Sequence, residues 1–214
     1  MDSTPKTDFV RARRMHQRGH YDEATIHAVL DAAPMCHVAH LIGGRPVAIP
    51  TFHWRHGDSV YWHGSAASRM LRANKVGGEV CLTATLLDGF VMARSGFHHS
   101  ANYRSAMCFG IPHLLEDRAE ILLALKGFTD RLVPGRWETL RPPTEQEMKA
   151  TSVFAMVIDE ASAKIRTGPP GDDPGDEVWP IWGGVLPVGL TALPPQPDAY
   201  VQERFAPPVT PFTA

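Results

Sequence analysis

The stretch MCHVAHLIGGRPVAIPTFHWRHGDSVYWHG (residues 35–64) decides the fold. Two strand-like runs flank Gly43 and Gly44, and this pair predicts a tight hairpin because both turn positions can take a positive φ. The segment RHGD at 55–58 predicts a second turn, which leads into a third strand over 59–63. Short strands joined by hairpins are typical of an antiparallel barrel.

Helices are predicted on both sides of this stretch. Asp22 is a candidate N-cap, and Pro34 ends the helix that follows it. The apolar residues of that helix are spaced i, i+3, i+4 and i+7: Ile26, Val29, Leu30 and Ala33. A short helix is predicted over 65–75 and an amphipathic one over 115–133. Thr144 and Glu147 predict a capping box before another short helix.

Further strands are predicted downstream of the first three. The runs 80–87 and 90–95 flank Asp88-Gly89, which predicts another hairpin. The other strands are predicted at 103–111, 152–158 and 163–167. The chain has no Gly-rich strand-to-helix fingerprint of a dinucleotide-binding Rossmann domain. The pattern therefore predicts a mainly β fold with α-helices (α+β).

Composition divides the chain into three parts. Residues 1–20 form a polar basic arm, for which we expect a solvated surface position, and residues 21–167 form the barrel domain. Residues 168–214 are a Pro/Gly-rich C-terminal tail, interrupted by VWPIWGGVLPVGL at 178–190. Two Trp residues in four positions are not expected to hang free in solvent, so Trp179 and Trp182 should pack on the barrel or on a partner subunit.

The bulk composition excludes several classes of protein. The chain has 214 residues, 43% of them hydrophobic and 21% charged, as in ordinary globular proteins. The formal net charge of −2 suggests neither nucleic acid nor a membrane surface as a partner. No signal-like or membrane-spanning run is present, so we expect a cytoplasmic protein. The three cysteines lie in apolar runs and are predicted to be buried thiols.

Metal chemistry is not predicted, although the chain has eleven His residues. His53 and His56 lie on a strand and a turn rather than on one helix face, and no HExxH motif occurs. A Ser-His-Asp triad lacks the GxSxG elbow. We therefore expect no metal site built from these side chains.

Anion binding is the stronger indication. In GSAASRMLRANK (64–75) a Gly-Ser turn leads into a helix start carrying Ser68, Arg69, Arg72 and Lys75, the kind of place where proteins hold phosphate. A second polar cluster, 102–105, opens an apolar strand. Each cluster is also compatible with a solvated helix start or strand end. Pro50 places its strand at an edge or bulge, where Thr51 offers free backbone groups to a planar polar ring.

Two segments carry a resemblance to a known family: RPVAIPTFHWRHGDSVYWHGSAASRMLRANK (45–75) and DGFVMARSGFHHSANYRSAMCFG (88–110). In this order they resemble the flavin-nucleotide-binding branch of the pyridoxamine 5'-phosphate oxidase-like split β-barrels, which includes the nitroimidazole-resistance proteins. The likeness extends over residues 20–190. It implies an antiparallel split β-barrel of the FMN-binding type with flanking helices, and a homodimer whose flavin site lies at the interface.

The resemblance also implies roles for individual residues. Pro50, Thr51 and Phe52, at the end of the 45–52 strand, would lie beside the isoalloxazine, and His63, Gly64 and Ser65, at the next strand end, would lie beside the ring and the ribityl chain. Ser68 and Arg69, at the helix start, would hold the phosphate. Arg104 and Ser105 would lie at the phosphate or ribityl region, from either subunit. Trp179 and Trp182 would cover the flavin or a substrate pocket.

The sequence departs from the true pyridoxamine phosphate oxidases. Pro50-Thr51 stands where they have a basic residue, and Ser68-Arg69-Met70 replaces their Ser-Arg-Lys motif, so vitamin B6 oxidation is not expected. The resemblance implies an FMN-dependent oxidoreductase that acts on a small-molecule substrate by hydride transfer at the flavin. Nitro-group reduction is one such reaction, and a nicotinamide is the expected electron donor. The alternatives are a non-catalytic flavin carrier and a haem-binding split barrel. No residue is assigned as a proton donor.

Overall fold

The computed structural model describes residues 7–68, 77–200 and 205–212, and its strands form two antiparallel sheets. The larger sheet comprises β1 (Gly19–His20), β2 (Met35–Ile42), β3 (Arg45–Phe52), β6 (Val80–Met92), β7 (Ser100–Gly110), β10 (Glu160–Arg166) and β11 (Gly184–Pro187). The smaller comprises β4 (Trp54–His56), β5 (Ser59–Ser65), β8 (His113–Leu114) and β9 (Thr151–Val157). Their orders are β1-β10-β7-β6-β2-β3, with β11 also on β6, and β4-β5-β9-β8.

In the described part of the chain three α-helices flank the sheets, and each begins at a capping side chain. They are α1 (Glu23–Ala32), α2 (Arg118–Leu132) and α3 (Glu145–Ala150). The Asp22 carboxylate accepts from the Thr25 N–H at 2.9 Å, as the sequence predicted. Thr144 and Glu147 form the predicted capping box. Of the predicted 65–75 helix, Ser65 ends β5, and residues 69–76 lie outside the described part of the chain.

The main core lies between the two sheets and α1. Val38 and Leu82 come from the larger sheet, and Trp62 and Phe154 from the smaller one, with their rings stacked at 6.1 Å. A second apolar cluster covers the opposite face of the smaller sheet, where α2 packs on Trp54. The two sheets are not closed into one continuous cylinder. The predicted α+β split β-barrel is therefore confirmed.

The first predicted hairpin is confirmed. Gly43 and Gly44 take φ values of 59° and 75° between the paired residues Ile42 and Arg45, as a two-residue hairpin turn of this kind requires. β3 lies at the edge of the larger sheet, which is where Pro50 predicted it.

The hairpin predicted at Asp88-Gly89 is wrong. β6 runs through these residues, and β7 pairs along both halves of it with a bulge between Leu87 and Gly89. Gly89 does not take a positive φ; it allows β11 to approach. A Cβ there would lie 3.0 Å from Val185 Cγ1 and 3.1 Å from the Leu186 carbonyl oxygen. Glycine in a strand can mark a close backbone approach as well as a turn.

The arm and the tail both contact the barrel. In the arm, the Val10 side chain is buried, and the Phe9 ring lies 5.1 Å from that of Phe109, so part of it is packed rather than solvated. In the tail, β11 pairs with β6. Trp179 and Trp182 nevertheless remain 63% and 61% exposed, so the described part of one protomer leaves most of each side chain uncovered.

Two further observations concern the environment of the chain. Cys36 and Cys108 are fully buried, as predicted, whereas Cys81 is only partly so. Burial raises the pKa of the Cys36 and Cys108 thiols to about 12. In the described ranges, no helix has the length and apolar character needed to cross a membrane.

Candidate functional site

The end of β3 presents two different faces. Thr51 pairs with the fully buried Cys36, so its side chain lies on the core side of the sheet, and its hydroxyl donates to the Phe52 carbonyl at 3.3 Å. Pro50 and Phe52 alternate with it and lie on the outer face, where Phe52 is 39% exposed. An edge strand has a row of backbone groups without a neighbouring strand. The strand end therefore offers an apolar surface beside free backbone donors and acceptors.

His63 lies next to this strand end through a shared aromatic neighbour. Its imidazole is 4.4 Å from the ring of Phe128 and 5.7 Å from that of Trp54, and Phe52 is 5.9 Å from Phe128, measured between centroids. Burial lowers the pKa of the His63 imidazole, which favours its neutral form. Its buried Nδ1 has no hydrogen-bond partner among the described residues. We call Phe52, Trp54, His63 and Phe128 the aromatic cluster.

A tight turn follows His63. The Ser68 N–H donates to the Ser65 carbonyl at 2.8 Å, and the Ala67 N–H donates to the Ser65 hydroxyl at 3.3 Å. The Ala66 N–H donates to the Ala150 carbonyl, which ties the turn to the end of α3. Gly64, Ser65 and Ser68 therefore lie in one short segment next to the aromatic cluster. Arg69 lies outside the described residues.

Arg104 and Ser105 lie elsewhere on the larger sheet. The register Thr51–Cys36–Ala84–Ala106 places β7 three strand spacings from β3, about 14 Å away. The Arg104 guanidinium donates twice to the Asp88 carboxylate, at 2.9 and 2.7 Å, and this pairing raises its pKa. Within one protomer the fold does not bring Arg104 to the β3 end, and its role in flavin binding stays a prediction.

A separate cavity lies between the smaller sheet and α2, with a volume of about 600 Å³. Its apolar wall includes Trp54, Tyr61, Leu115 and Leu123, and two imidazoles line it, those of His56 and His113. Tyr61 and His113 both pair with Ala155, so they flank a small residue in one row across the sheet. The small Ala155 side chain leaves room between them.

His53, which was considered as a metal ligand from the sequence, is a structural residue here. Its ring is fully buried, and its Nε2 lies 2.9 Å from the Leu30 carbonyl, to which it must donate. Burial lowers the pKa of this imidazole to about 4. Arg131 donates to the same carbonyl at 2.8 Å and to that of Ala33 at 2.6 Å. Both side chains satisfy the C-terminal end of α1.

Sequence reasoning missed the residues that join the predicted ones. Phe128 falls within the amphipathic helix predicted over 115–133, and its spacing shows only that it belongs to the apolar face. Its role as the common neighbour of Phe52 and His63 depends on where α2 packs, and no local pattern encodes that. The cavity beside α2 was missed for the same reason.

The comparisons with known proteins agree with this architecture. The chain matches the pyridoxamine 5'-phosphate oxidase family over residues 22–165. No curated protein matches the sequence. The putative 5-nitroimidazole antibiotic resistance protein from Bacteroides thetaiotaomicron has 21% identity and a TM-score of 0.53 over 72% of this chain and 95% of its own, a likeness of fold.

Two solved structures are much more similar. The flavocytochrome Anf3 from Azotobacter vinelandii has 44% identity and a TM-score of 0.88, covering 94% of each chain. The FAD and heme binding protein from Mycobacterium smegmatis has 35% identity and a TM-score of 0.84, covering 89% of this chain and 94% of its own.

The fold and the family match define a split β-barrel of the pyridoxamine 5'-phosphate oxidase type. The match spans more than half of the chain, from α1 to the last strand of the main barrel. The chain belongs to the pyridoxamine 5'-phosphate oxidase family.

Proposed function

We propose that this protein binds both a flavin and a haem and acts as an electron-transferring oxidoreductase. The observation that carries the proposal is the 44% and 35% identity, over nearly the whole chain, to a flavocytochrome and to an FAD and heme binding protein. From the sequence, haem binding was an alternative to flavin binding. We now propose haem as a second cofactor beside the flavin.

The proposed flavin is FAD. The resemblance alone implied FMN, but the relative at 35% identity is described as binding FAD. Both flavins share the isoalloxazine and ribityl groups, so the ring site at the β3 end applies to either. Release of the cofactor by heat, followed by chromatography against FMN and FAD standards, identifies it directly.

The proposed ring site is the β3 end with the aromatic cluster. A bound flavin supplies hydride and single-electron chemistry at its ring. Pro50 and Phe52 provide an apolar surface, and the edge backbone near Thr51 provides hydrogen bonds. The neutral His63 can donate or accept one hydrogen bond through its unpartnered Nδ1. These groups position a planar polar ring; Gly64 and Ser65 would lie along the ribityl chain.

The proposed haem site is the cavity beside α2. A haem needs an apolar slot and an axial ligand, and imidazole is a common one. The cavity offers an apolar wall and two imidazoles, those of His56 and His113. His113 lies on β8, whose pairing with β9 holds the residue at the cavity wall. We propose that His113 would ligate the haem iron there.

The flavin site is proposed to lie at the interface of a homodimer. The outer face of β2 and β3 carries the exposed apolar residues Met35, Leu41 and Phe52. The tail adds Trp179 and Trp182, which are also mostly exposed. A second protomer that covers these surfaces would give Arg104 and Ser105 a route to the flavin that one protomer lacks.

Anaerobic titration of the reconstituted protein with NADPH and with NADH tests the activity. Loss of the flavin absorbance followed by a shift of the haem Soret band is expected. Flavin that stays oxidised with both donors would remove the nicotinamide-dependent function and leave a carrier. Addition of a nitroimidazole to the reduced protein then tests nitro-group reduction as one acceptor reaction.

A further inference from the structure

A basic cavity of about 460 Å³ lies where the N-terminal arm meets β10 and the segment before β7. Its charged or titratable side chains are all nitrogen bases: Arg14, Arg18, His98, His99, Lys164 and Arg166. No carboxylate lines it in the ranges 7–68, 77–200 and 205–212. Of the cavity's side chains, His98 contacts an acidic residue, Asp173, whose carboxylate lies 3.2 Å from its Nε2. The cavity is therefore a concentrated positive site.

Arg166 is the buried member of this group, with only 8% of its surface exposed. Its guanidinium donates to the Asn102 side-chain oxygen and to the carbonyls of Gly168 and Pro169, at 3.3 and 3.1 Å for the carbonyls. All of these acceptors are neutral, and its Nε has no hydrogen-bond partner among the described residues. Burial, and then the neighbouring Arg18, lower its pKa. A buried cation without a counter-ion is costly unless an anion binds nearby.

The other arginines and the lysine of the cavity have no ion pairs among the described residues, whereas two neighbouring arginines of the arm do. Arg11 and Arg13 pair with Asp8, whereas no described carboxylate lies within ion-pair distance of Arg14, Arg18 or Lys164. At the rim, the Phe97 side chain is 98% exposed. Such a ring is suited to stack on a planar base.

We propose that this cavity binds the phosphate groups of a nucleotide, with Phe97 against its base. Arg side chains bind phosphate oxygens with paired, charge-assisted hydrogen bonds. The concave shape and the exposed Phe97 ring favour a nucleotide over an acidic protein surface. The phosphates belong either to the dinucleotide part of the flavin or to a separate nucleotide. The proposal goes beyond the proposed function and does not require haem.

The position of the cavity is compatible with both sources. The strand register connects Lys164 to Pro50 across the larger sheet. Lys164 pairs with Ser105, which pairs with Thr85 on β6. Thr83, two residues before Thr85 and on the same face of β6, pairs with His37, which pairs with Pro50. Lys164 and Pro50 therefore lie on the same face of the larger sheet. Four strand spacings separate them, about 19 Å.

The test compares two double variants of equal charge change, Arg14→Gln/Arg18→Gln and the control Arg11→Gln/Arg13→Gln, as purified full-length protein. Flavin content is measured by absorbance, and inorganic pyrophosphate and NADPH are titrated calorimetrically. If a separate nucleotide binds, the first variant keeps its flavin and binds pyrophosphate and NADPH at least tenfold more weakly. If the flavin's phosphates occupy the cavity, the wild type binds no pyrophosphate and the first variant loses flavin.

Two results would overturn the proposal. One is a wild type that binds neither probe together with a first variant that retains all of its flavin. The other is the same loss in both double variants, which would show an effect of net charge alone. Thermal unfolding of each variant establishes that it is folded. Lys164→Gln gives the same readouts if the arm variant fails to fold.

Discussion

The imidazole of His63 packs edge-on against the ring of Phe128, with 4.4 Å between the centroids and 61° between the planes. Phe128 belongs to α2, His63 to β5, and the same phenyl ring also contacts Phe52 at the end of β3. One helix residue thus fixes the relative position of two strand ends from different sheets. The proposed flavin ring site depends on that arrangement.

Phe128→Leu is expected to weaken flavin binding about fivefold, because the loss of aromatic contacts worth about 1 kcal/mol loosens both Phe52 and His63. The dissociation constant is measured by fluorescence quenching of added flavin. Ile121→Val on the same helix removes one methylene group from the same apolar layer and serves as the control. Equal flavin affinity in wild type and Phe128→Leu would show that the flavin does not bind at the aromatic cluster.

Stability should fall on acidification because of His53. Its folded-state pKa of about 4 lies below the ordinary value of 6.5, so between these pH values the unfolded chain binds a proton that the folded chain does not. The stabilisation is complete above pH 6.5 and declines by about 3 kcal/mol as the pH falls to 4. Urea unfolding at pH 7 and pH 5 measures it.

His53→Gln removes the titrating group and should flatten this pH dependence. His37→Gln, an exposed residue of β2, is the matched control and should retain the wild-type slope. A slope in His53→Gln as steep as that of the wild type would assign the acid sensitivity to other groups.

Arg104 is expected to act on the flavin in addition to pairing with Asp88. Both side chains are partly exposed, so the ion pair itself should contribute only about 1 kcal/mol or less to stability, as a double-mutant cycle would show. Arg104→Ala should lower flavin content, and Arg69→Ala/Arg104→Ala should abolish it in a folded protein. Asp88→Ala leaves the guanidinium in place and should retain the flavin. Equal flavin loss in Asp88→Ala and Arg104→Ala would make the role of Arg104 structural.

Gly89→Ala is expected to displace β11 from β6, since the added Cβ would lie within 3.1 Å of Val185 and Leu186 atoms. Overpacking of this kind costs about 1–3 kcal/mol. Limited proteolysis should then cleave within 178–190, where the wild type resists. Gly96→Ala, whose Cβ would meet nothing within 4 Å, is the control. Unchanged resistance in Gly89→Ala would mean that the tail is held by other contacts.

The two Gly-containing dipeptides show how far local sequence determined the fold. Gly43-Gly44 produced the predicted hairpin because positive φ at both positions has no other common use between strands. Asp88-Gly89 has the same appearance, but its glycine admits a strand from the tail, nearly a hundred residues away in sequence. Such a long-range contact leaves no local pattern.

The candidate site was also predictable only where local sequence determines it. The Pro50–Phe52 strand end and the residues after His63 follow from local chemistry: a proline at an edge, a Gly-Ser turn. Their contact through Phe128, and the cavity with His113, arise from helix packing on the far side of a sheet. The basic arm was visible in sequence as a run of arginines, but only the fold separates Arg14 and Arg18 from the paired Arg11 and Arg13.

His113 provides a test of the haem site that does not depend on turnover. Replacement by Ala should remove or shift the Soret band of the reconstituted protein, because the imidazole that would ligate the iron is lost. His56→Ala is the control at the same cavity and should leave the band unchanged. A Soret band altered only in His56→Ala would make His56, and not His113, the haem ligand.

The most direct test of the central claim is the visible absorption spectrum of the purified full-length protein after incubation with FAD and haemin and removal of the excess. Two flavin bands together with a Soret band are expected, in amounts near one flavin and one haem per chain. A spectrum with neither set of bands would contradict the account.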